Sequence, residues 1–228
     1  SYSRNQFQIP GNDFVFLFMF DFDSHVARKN PEAVIKAFEY AFPKSYQNSV
    51  SLVIKSINGD RHPKEHKNLK KLIDGNPRII HIQKVMPHYE NAALIHCCDC
   101  YVSLHRSEGF GLTIAEAMLL GKPVITTGYS GNMDFTTIET SLLVDYELIP
   151  VQQGDYPYSK DEMWAEPDIE QAGDYMKKLV SDKDFSCSFA KKGQELIRTS
   201  FSIKSLSEIY KNRLDVISKE KTLDQENL

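Results

Sequence analysis

The sequence has no apolar run of membrane-spanning length, no spaced set of cysteines and no excess of positive charge. Each absence removes a class. A helix that crosses a bilayer takes about 20 consecutive apolar residues, whereas the run from Phe14 to Phe20 has only the length of a strand. No transmembrane segment is expected, and Ser1 opens no signal peptide. A chain that starts without Met also reads as a piece excised from a longer protein. Of the four cysteines, three are bunched in Cys97-Cys98-Asp99-Cys100, which fits neither a disulfide framework nor a Cys-x2-Cys metal pair. Reduced, buried thiols in a cytoplasmic protein are expected. Lys and Arg number 27 against 31 Asp and Glu, a formal charge of -4, so the overall charge gives no reason to expect nucleic acid as a partner. Nor does Gly-x-Gly-x-x-Gly follow the first expected strand, which argues against a dinucleotide-dependent dehydrogenase.

What is present suffices for one sizeable domain: 228 residues, 41% of them apolar and 11% aromatic. Phe14 to Phe20 is apolar at every position, as a strand buried on both faces of a parallel sheet would be. Further strands are expected at Val50 to Ile57, Ile79 to Ile82, Tyr101 to Leu104, Val124 to Thr127 and Ser141 to Val144. They alternate with helices at Pro31 to Phe42, His62 to Asp74, Tyr89 to Cys97 and Leu112 to Leu120, the last stopped by Gly121, Lys122 and Pro123. Asp145 to Pro167 keeps no period and crowds Tyr146, Pro150, Gly154, Tyr156, Pro157, Tyr158 and the single Trp164. We expect an ordered loop there, the alternative being a lid or an acceptor-side element. Pro167 and Asp168 open a helix to about Ser181, helices follow near Phe185 to Thr199 and Ser202 to Ile217, and the polar Ser218 to Leu228 should fray. The sum is an α/β fold, a doubly wound, mostly parallel, Rossmann-like sheet of about six strands with a C-terminal helical segment. It forms a single domain over residues 1–228, with its core at about 14–217.

The chemistry is concentrated in Tyr101 to Thr126, a strand, a glycine loop, a buried helix and a strand. Gly109 and Gly111 let backbone N–H groups approach a ligand at the start of a helix, where unpaired donors and the dipole favour an anion. Glu108 stands before that helix and Glu116 lies on it, roughly 8–9 Å further along the axis. That separation suits hydroxyl groups on either side of a diphosphate. As a bare pair they read equally as a solvated loop residue and the wet face of a helix. Arg28 and Lys29 stand just ahead of a helix opened by Asn30 and Pro31, where positive charge opposes the dipole unless an anion is present. As surface cations they would be unremarkable. Arg106 could reach a phosphate or a sugar hydroxyl or be a plain loop arginine, His105 reads as structural, and Ser24 is a further candidate. Asp21 and Asp23 form an Asp-x-Asp that could hold a divalent metal against a diphosphate, or simply cap neighbouring backbone. His62 and His66 have no evident third ligand, so no metal is assigned.

Ser107-Glu108-Gly109-Phe110-Gly111-Leu112, followed by Ala115-Glu116-Ala117-Met118 and Gly121-Lys122-Pro123-Val124, resembles the donor-site signature of retaining glycosyltransferases of family 4, which have the GT-B fold. Gly128 to Phe135 resembles the family's second donor-side loop. The resemblance covers about residues 14–217 and only one half of a GT-B architecture, the donor-binding C-terminal domain without the N-terminal acceptor domain. It implies Glu108, Gly109, Phe110 and Gly111 at the transferred sugar, with Glu108 catalytic. Arg28, Lys29, Gly111 and Leu112 fall at the diphosphate, Glu116 at the ribose, and Lys84, Val85 and Met86 at the base. The adjacency of Arg28 and Lys29 departs from the family's wider spacing, and His105-Arg106 from its Pro-Ser.

The resemblance further implies a nucleotide sugar, UDP- or GDP-linked, as the substrate, with no cofactor and no metal. Transfer would proceed with retention to a saccharide or lipid-linked acceptor, in polysaccharide or glycoconjugate synthesis. A cytoplasmic location is implied, with peripheral attachment at the inner face of the membrane for the full-length protein. The isolated half is expected to be inactive in transfer. Two other readings share these residues: a non-catalytic nucleotide-sugar-binding module, and a phosphorylase or synthase of GT-B architecture.

Overall fold

In the computed structural model of the chain, Phe14–Asp21 forms strand β1 in the interior of a six-stranded parallel sheet. Its unbroken apolar run has two destinations: Phe16, Phe18 and Phe20 enter one core cluster, Val15, Leu17 and Met19 the other. The two-residue period of a strand buried on both faces requires this division. β2 (Val50–Ile57) pairs with β1 from Phe14↔Val50 to Asp21↔Ile57, and β3 (Ile79–Gln83) lies beyond it. On the other side stand β4 (Cys100–Ser103), β5 (Val124–Thr127) and β6 (Leu142–Val144), giving the order β3-β2-β1-β4-β5-β6. The winding reverses between β1 and β4, so the loops leaving their C-terminal ends diverge and open a crevice. The structure describes residues 2–43, 45–46, 49–157 and 159–226, of which 219–226 by backbone alone. Ser1, Tyr158 and the last two residues of the expected tail lie outside the described residues.

The helices are α1 (Val26–Lys29), α2 (Pro31–Ala41), α3 (Pro63–Ile73), α4 (His88–Cys97), α5 (Leu112–Leu119), α6 (Ile169–Ser181), α7 (Lys183–Ser200) and α8 (Ile203–Glu226). One face of the sheet is covered by apolar residues of α2, α3 and α6, the other by those of α4, α5 and α7. Phe16, Phe38 and Phe42 are fully buried and meet ring to ring. At about 1.5–3 kcal/mol per buried side chain, they anchor α2. That fixes the helix start, where the Asn30 side chain accepts from Ala33 N–H and Pro31 takes the first helical position.

Five details differ from the sequence expectations. Arg28 and Lys29 do not lie in plain loop but in the one-turn helix α1, which Asn30 ends in the left-handed region at φ 53°. Asp145 to Pro167 is ordered, but as strands and not as a loop alone: β7 (Tyr146–Pro150) and β8 (Met163–Pro167) pair in an antiparallel ribbon. Its alternation is masked because β7 is largely exposed, and only Trp164, Ala165 and Pro167 of β8 are buried. Pro167 therefore ends a strand, and Asp168 alone caps α6, accepting from Glu170 and Gln171 N–H. The polar tail does not leave the helix at Ile217; α8 runs on to Glu226 through a stretch with no Gly or Pro and several strong helix formers. The polar lead packs as well. Phe7 and Ile9 join the second core cluster, and Arg4 donates to Asp13 O and pairs with Asp99 at 2.6 Å, while Asp99 accepts from Val15 N–H at 2.7 Å.

Among the described residues no helix is long and apolar enough to cross a membrane. All four cysteines are free, with Cys98 and Cys100 buried and Cys187 exposed. Burial pushes the thiols of Cys97, Cys98 and Cys100 up.

Candidate functional site

The crevice at the switch point is built from the loops that follow β1 and β4, and the two are bonded to one another. Arg106 N–H donates to Arg28 O at 2.8 Å, and Arg28 returns a bond from Nη1 to Ser107 O at 2.9 Å and one from Nε to Ser24 O at 3.1 Å. This places Arg28 and Lys29 against Glu108. The Glu108 carboxylate pairs with Lys29 Nζ through Oε1, and with Arg28 Nη1 through Oε2 at 3.4 Å. All three side chains are mostly buried, at 16%, 16% and 10% exposure for Arg28, Lys29 and Glu108. The anion that a basic pair ahead of α2 needs is thus supplied by Glu108 itself. One carboxylate against two cations leaves about one unit of positive charge, enough to receive a further anion.

The loop after β5 fixes the back of Glu108. Ser130 Oγ accepts from Glu108 N–H at 2.7 Å, and Gly131 N–H donates to Glu108 O at 3.0 Å. The approach is so close that a Cβ on Gly131 would lie 2.0 Å from Gly109 O. Beneath it, buried Asn132 donates from Nδ2 to Thr127 O at 3.0 Å and Thr136 Oγ1 at 3.2 Å, which turns its Oδ1 toward His105 Nε2 at 3.0 Å. Tyr129 O also lies 3.2 Å from that nitrogen, so two acceptors put the proton on Nε2, and Nδ1 accepts from Ser103 Oγ at 3.0 Å. Burial pushes the His105 pKa down, against the pull of the Glu108 charge. His105 is a structural post under the loop.

At the start of α5, Gly111 adopts φ 87°, open to glycine at little cost, and its carbonyl accepts from Ile114 and Ala115 N–H. The N–H groups of Gly109, Phe110, Gly111 and Leu112 donate to no acceptor among the described residues. Nothing stands within 4 Å of a Cβ placed on Gly109, so this row of donors is open to a ligand. Phe110 packs on Phe135 with ring centroids 4.8 Å apart, and Leu112 is exposed. Tyr101 Oη donates to Thr113 Oγ1 at 2.7 Å and pins the first turn of α5 to the sheet. Glu116 lies further along α5 and accepts from His88 Nε2, at the start of α4, at 3.1 Å. Lys84, Val85 and Met86 follow β3: Lys84 N–H donates to Ser56 O, Val85 is exposed and Met86 buried. Lys84 and Met86 wall a cavity of about 370 Å³ together with Tyr2, Phe7 and His81.

The remaining candidates sit elsewhere. Arg106 does not face the crevice as a free cation: Nε donates to Glu166 at 2.6 Å, Nη1 to Ala27 O at 2.8 Å, and the guanidinium lies 5.4 Å from the Trp164 ring. It ties the β7–β8 ribbon to α1. Ser24 contributes its carbonyl, which orients Arg28. Asp21 accepts from Asp23 N–H and Asn58 Nδ2, while Asp23 pairs with Arg61 and His62, so this Asp-x-Asp caps and pairs with its neighbours. His66 packs edge-on against Phe22. Among the described residues no group of three His, Cys, Asp or Glu is placed to hold a metal. Ser130 and Asn132 are site-building residues that the sequence did not single out; the signal was present only as polar residues inside a glycine-rich turn.

The family model for glycosyl transferases group 1 matches residues 2–144. No curated protein matches the chain. Among solved structures it is similar to HepE from Anabaena in complex with UDP and glucose, at 19% identity and a TM-score of 0.67, covering 93% of this chain and 51% of that one. It is similar at 22% identity and a TM-score of 0.66 to the C-terminal domain of a glycosyl transferase group 1 family protein, LpcC, from Francisella tularensis, covering 87% of this chain and 91% of that one. Sucrose-phosphate synthase from Thermosynechococcus elongatus matches at 19% identity and a TM-score of 0.67, over 93% and 48% of the two chains. Likeness at such identity shows the fold, and the chain spans about half the length of HepE and of the synthase.

Proposed function

The chain belongs to the glycosyl transferases group 1 family, and on that premise we propose that it is the donor-binding half of a retaining GT-B glycosyltransferase of family 4. In this reading it takes a UDP- or GDP-sugar, and the sugar passes to a saccharide or lipid-linked acceptor held by a second domain. The observation that carries the proposal is the meeting of Arg28, Lys29 and Glu108 beside the free N–H groups at the start of α5. A diphosphate brings more negative charge than one carboxylate, so it takes the two cations and the N–H row, and Glu108 is released toward the sugar on the far side of the phosphates. When the bond from the anomeric carbon to the diphosphate breaks, the electron pair leaves with the diphosphate. Arg28, Lys29 and the helix start stabilise that charge in place, a role that needs no metal ion. Glu116, beyond the phosphates, then suits the ribose, and the turn Lys84 to Met86 the base. That HepE is described with UDP and with UDP-glucose supports trying uridine donors first.

Calorimetry at low salt with UDP, GDP, UDP-glucose and GDP-mannose, each with magnesium and with chelator, tests the proposal. One nucleotide series should bind, and chelation should leave its affinity unchanged. If no nucleotide binds under either condition, the donor-site reading falls.

A further inference from the structure

Lys55 is the only lysine, arginine, aspartate or glutamate that is buried among the described residues, at 5% exposure, and its ammonium makes no hydrogen bond or ion pair with any of them. The burial falls on the stem, and an apolar side chain of similar volume would pack there without bringing a charge close to the core. Burial pushes its pKa down, and Asp21 offsets this only through longer-range attraction. Nothing in the packing of the sheet accounts for a lysine at this position.

Its place in the sheet does. Lys55 lies two residues before the C-terminal end of β2, in register with Met19 of β1 on one side and Ile82 of β3 on the other. Met19 and Ile82 belong to the core cluster under α4 and α5, so Lys55 stands on the face that carries Glu116. Both flanking strands run directly into the crevice: β1 into the loop bearing Arg28 and Lys29, β3 into the turn Lys84 to Met86. The next residue, Ser56, points the other way, to His81 Nε2 at 2.8 Å. Asp21, whose charge acts on the Lys55 ammonium, closes β1 at the same end of the sheet.

We propose that Lys55 is a nucleotide-binding residue, whose ammonium, carried on a buried stem, donates to an oxygen of the donor nucleotide from beneath the crevice. The inference rests on the donor-site reading and adds to it a cation that lies outside the glycine loop and outside the Arg28-Lys29 pair. The oxygen can belong to a phosphate or to the ribose or base; the chemistry is the same, a charge-assisted hydrogen bond in a site shielded from water.

The test measures UDP and uridine binding to the chain and to Lys55→Met and Lys55→Gln. Both variants should fold, with the Lys55→Met melting temperature at or above that of the parent, because an unpaired charge has been replaced by an apolar end of similar length. UDP affinity should fall about tenfold or more in both. An equal loss for uridine assigns the contact to ribose or base, and a loss confined to UDP assigns it to phosphate. Should the parent chain bind neither UDP nor GDP, the donor-site reading fails and takes this inference with it. If the parent binds and both variants bind within twofold of it, this inference alone is wrong. Failure of both variants to fold also overturns it, since Lys55 would then be a structural cation.

Discussion

Glu108 and Glu116 are both glutamates at the start of or along α5, yet the structure gives them opposite relations to the basic pair. Glu108 occupies Arg28 and Lys29, so Glu108→Gln removes a competitor for those cations while also removing the proposed sugar contact. UDP should bind the variant at least as well as the parent, and UDP-sugar less well, the ratio of the two affinities falling about tenfold. Glu116→Gln should instead weaken both ligands by about 1.5–3 kcal/mol; equal losses in both variants would contradict the assigned roles. The glycines separate in the same way. Gly131→Ala drives a methyl into the Gly109 carbonyl at 2.0 Å, backbone against backbone, and should cost about 2–4 kcal/mol in chemical denaturation. Gly109→Ala has open space. It should leave the denaturation midpoint within the error of measurement and reduce nucleotide binding, because the methyl stands where the ligand approaches.

The β7–β8 ribbon contributes to neither core cluster, so its ties to the rest of the chain hold it in place. Arg106 joins it to α1 through Glu166, Ala27 O and Trp164, and Ala165 N–H donates to Arg106 O at 3.1 Å. Arg106→Ala should therefore loosen the ribbon at a cost of about 1–3 kcal/mol. Trp164 is the single tryptophan and is buried, so its emission reads this element directly and should move to longer wavelength in the variant. If the emission is unchanged while nucleotide affinity drops, Arg106 is a ligand contact and not a tie between elements. A strand pair of this kind is hard to see in sequence because its exposed strand lacks a buried face to pattern it.

For the molecule as a whole, one buried and two partly buried imidazoles set a direction for its response to acid. Burial lowers His81 from the ordinary value of 6.5 to about 4 and also lowers His66 and His105. Between those values the unfolded chain binds protons that the folded chain does not, so this contribution is complete above the ordinary value and is lost as pH falls through the window. Urea midpoints should drop from about pH 7.5 to pH 5, and His81→Gln should shrink the drop; an equal drop in both would remove His81 from the account. The second expectation at this scale concerns turnover. Proximity of acceptor and anomeric carbon, with water excluded, supplies much of the rate in sugar transfer, and the proposed function places the acceptor in a second domain. The chain alone should bind donor and show no more than slow donor hydrolysis in a transfer assay. Supplying the remainder of the protein should restore transfer, and robust transfer by this chain alone would overturn the architecture proposed.

The sequence by itself determined which segments become the strands of the six-stranded sheet. Phe14 to Phe20 has no polar position, so it has no choice but the two-sided interior, and Asn30-Pro31 and the stop at Gly121 set helix ends by local backbone chemistry alone. The glycine loop and the helix after it were legible for the same reason: Glu108, Gly109, Gly111 and Glu116 lie within one strand-loop-helix unit, where spacing along the chain is spacing in space. What only the tertiary structure decided joins residues far apart in sequence. Glu108 meets Arg28 and Lys29 across 80 and 79 positions, Arg106 meets Glu166 across 60, and Gly131 touches the Gly109 backbone through the loop of a different strand. Lys55 drew no attention in the sequence, and its burial became visible once β1 and β3 closed on either side of it. Local periodicity encodes which face a residue takes, but the partner on that face is set by strand order, and strand order is fixed by packing the two core layers.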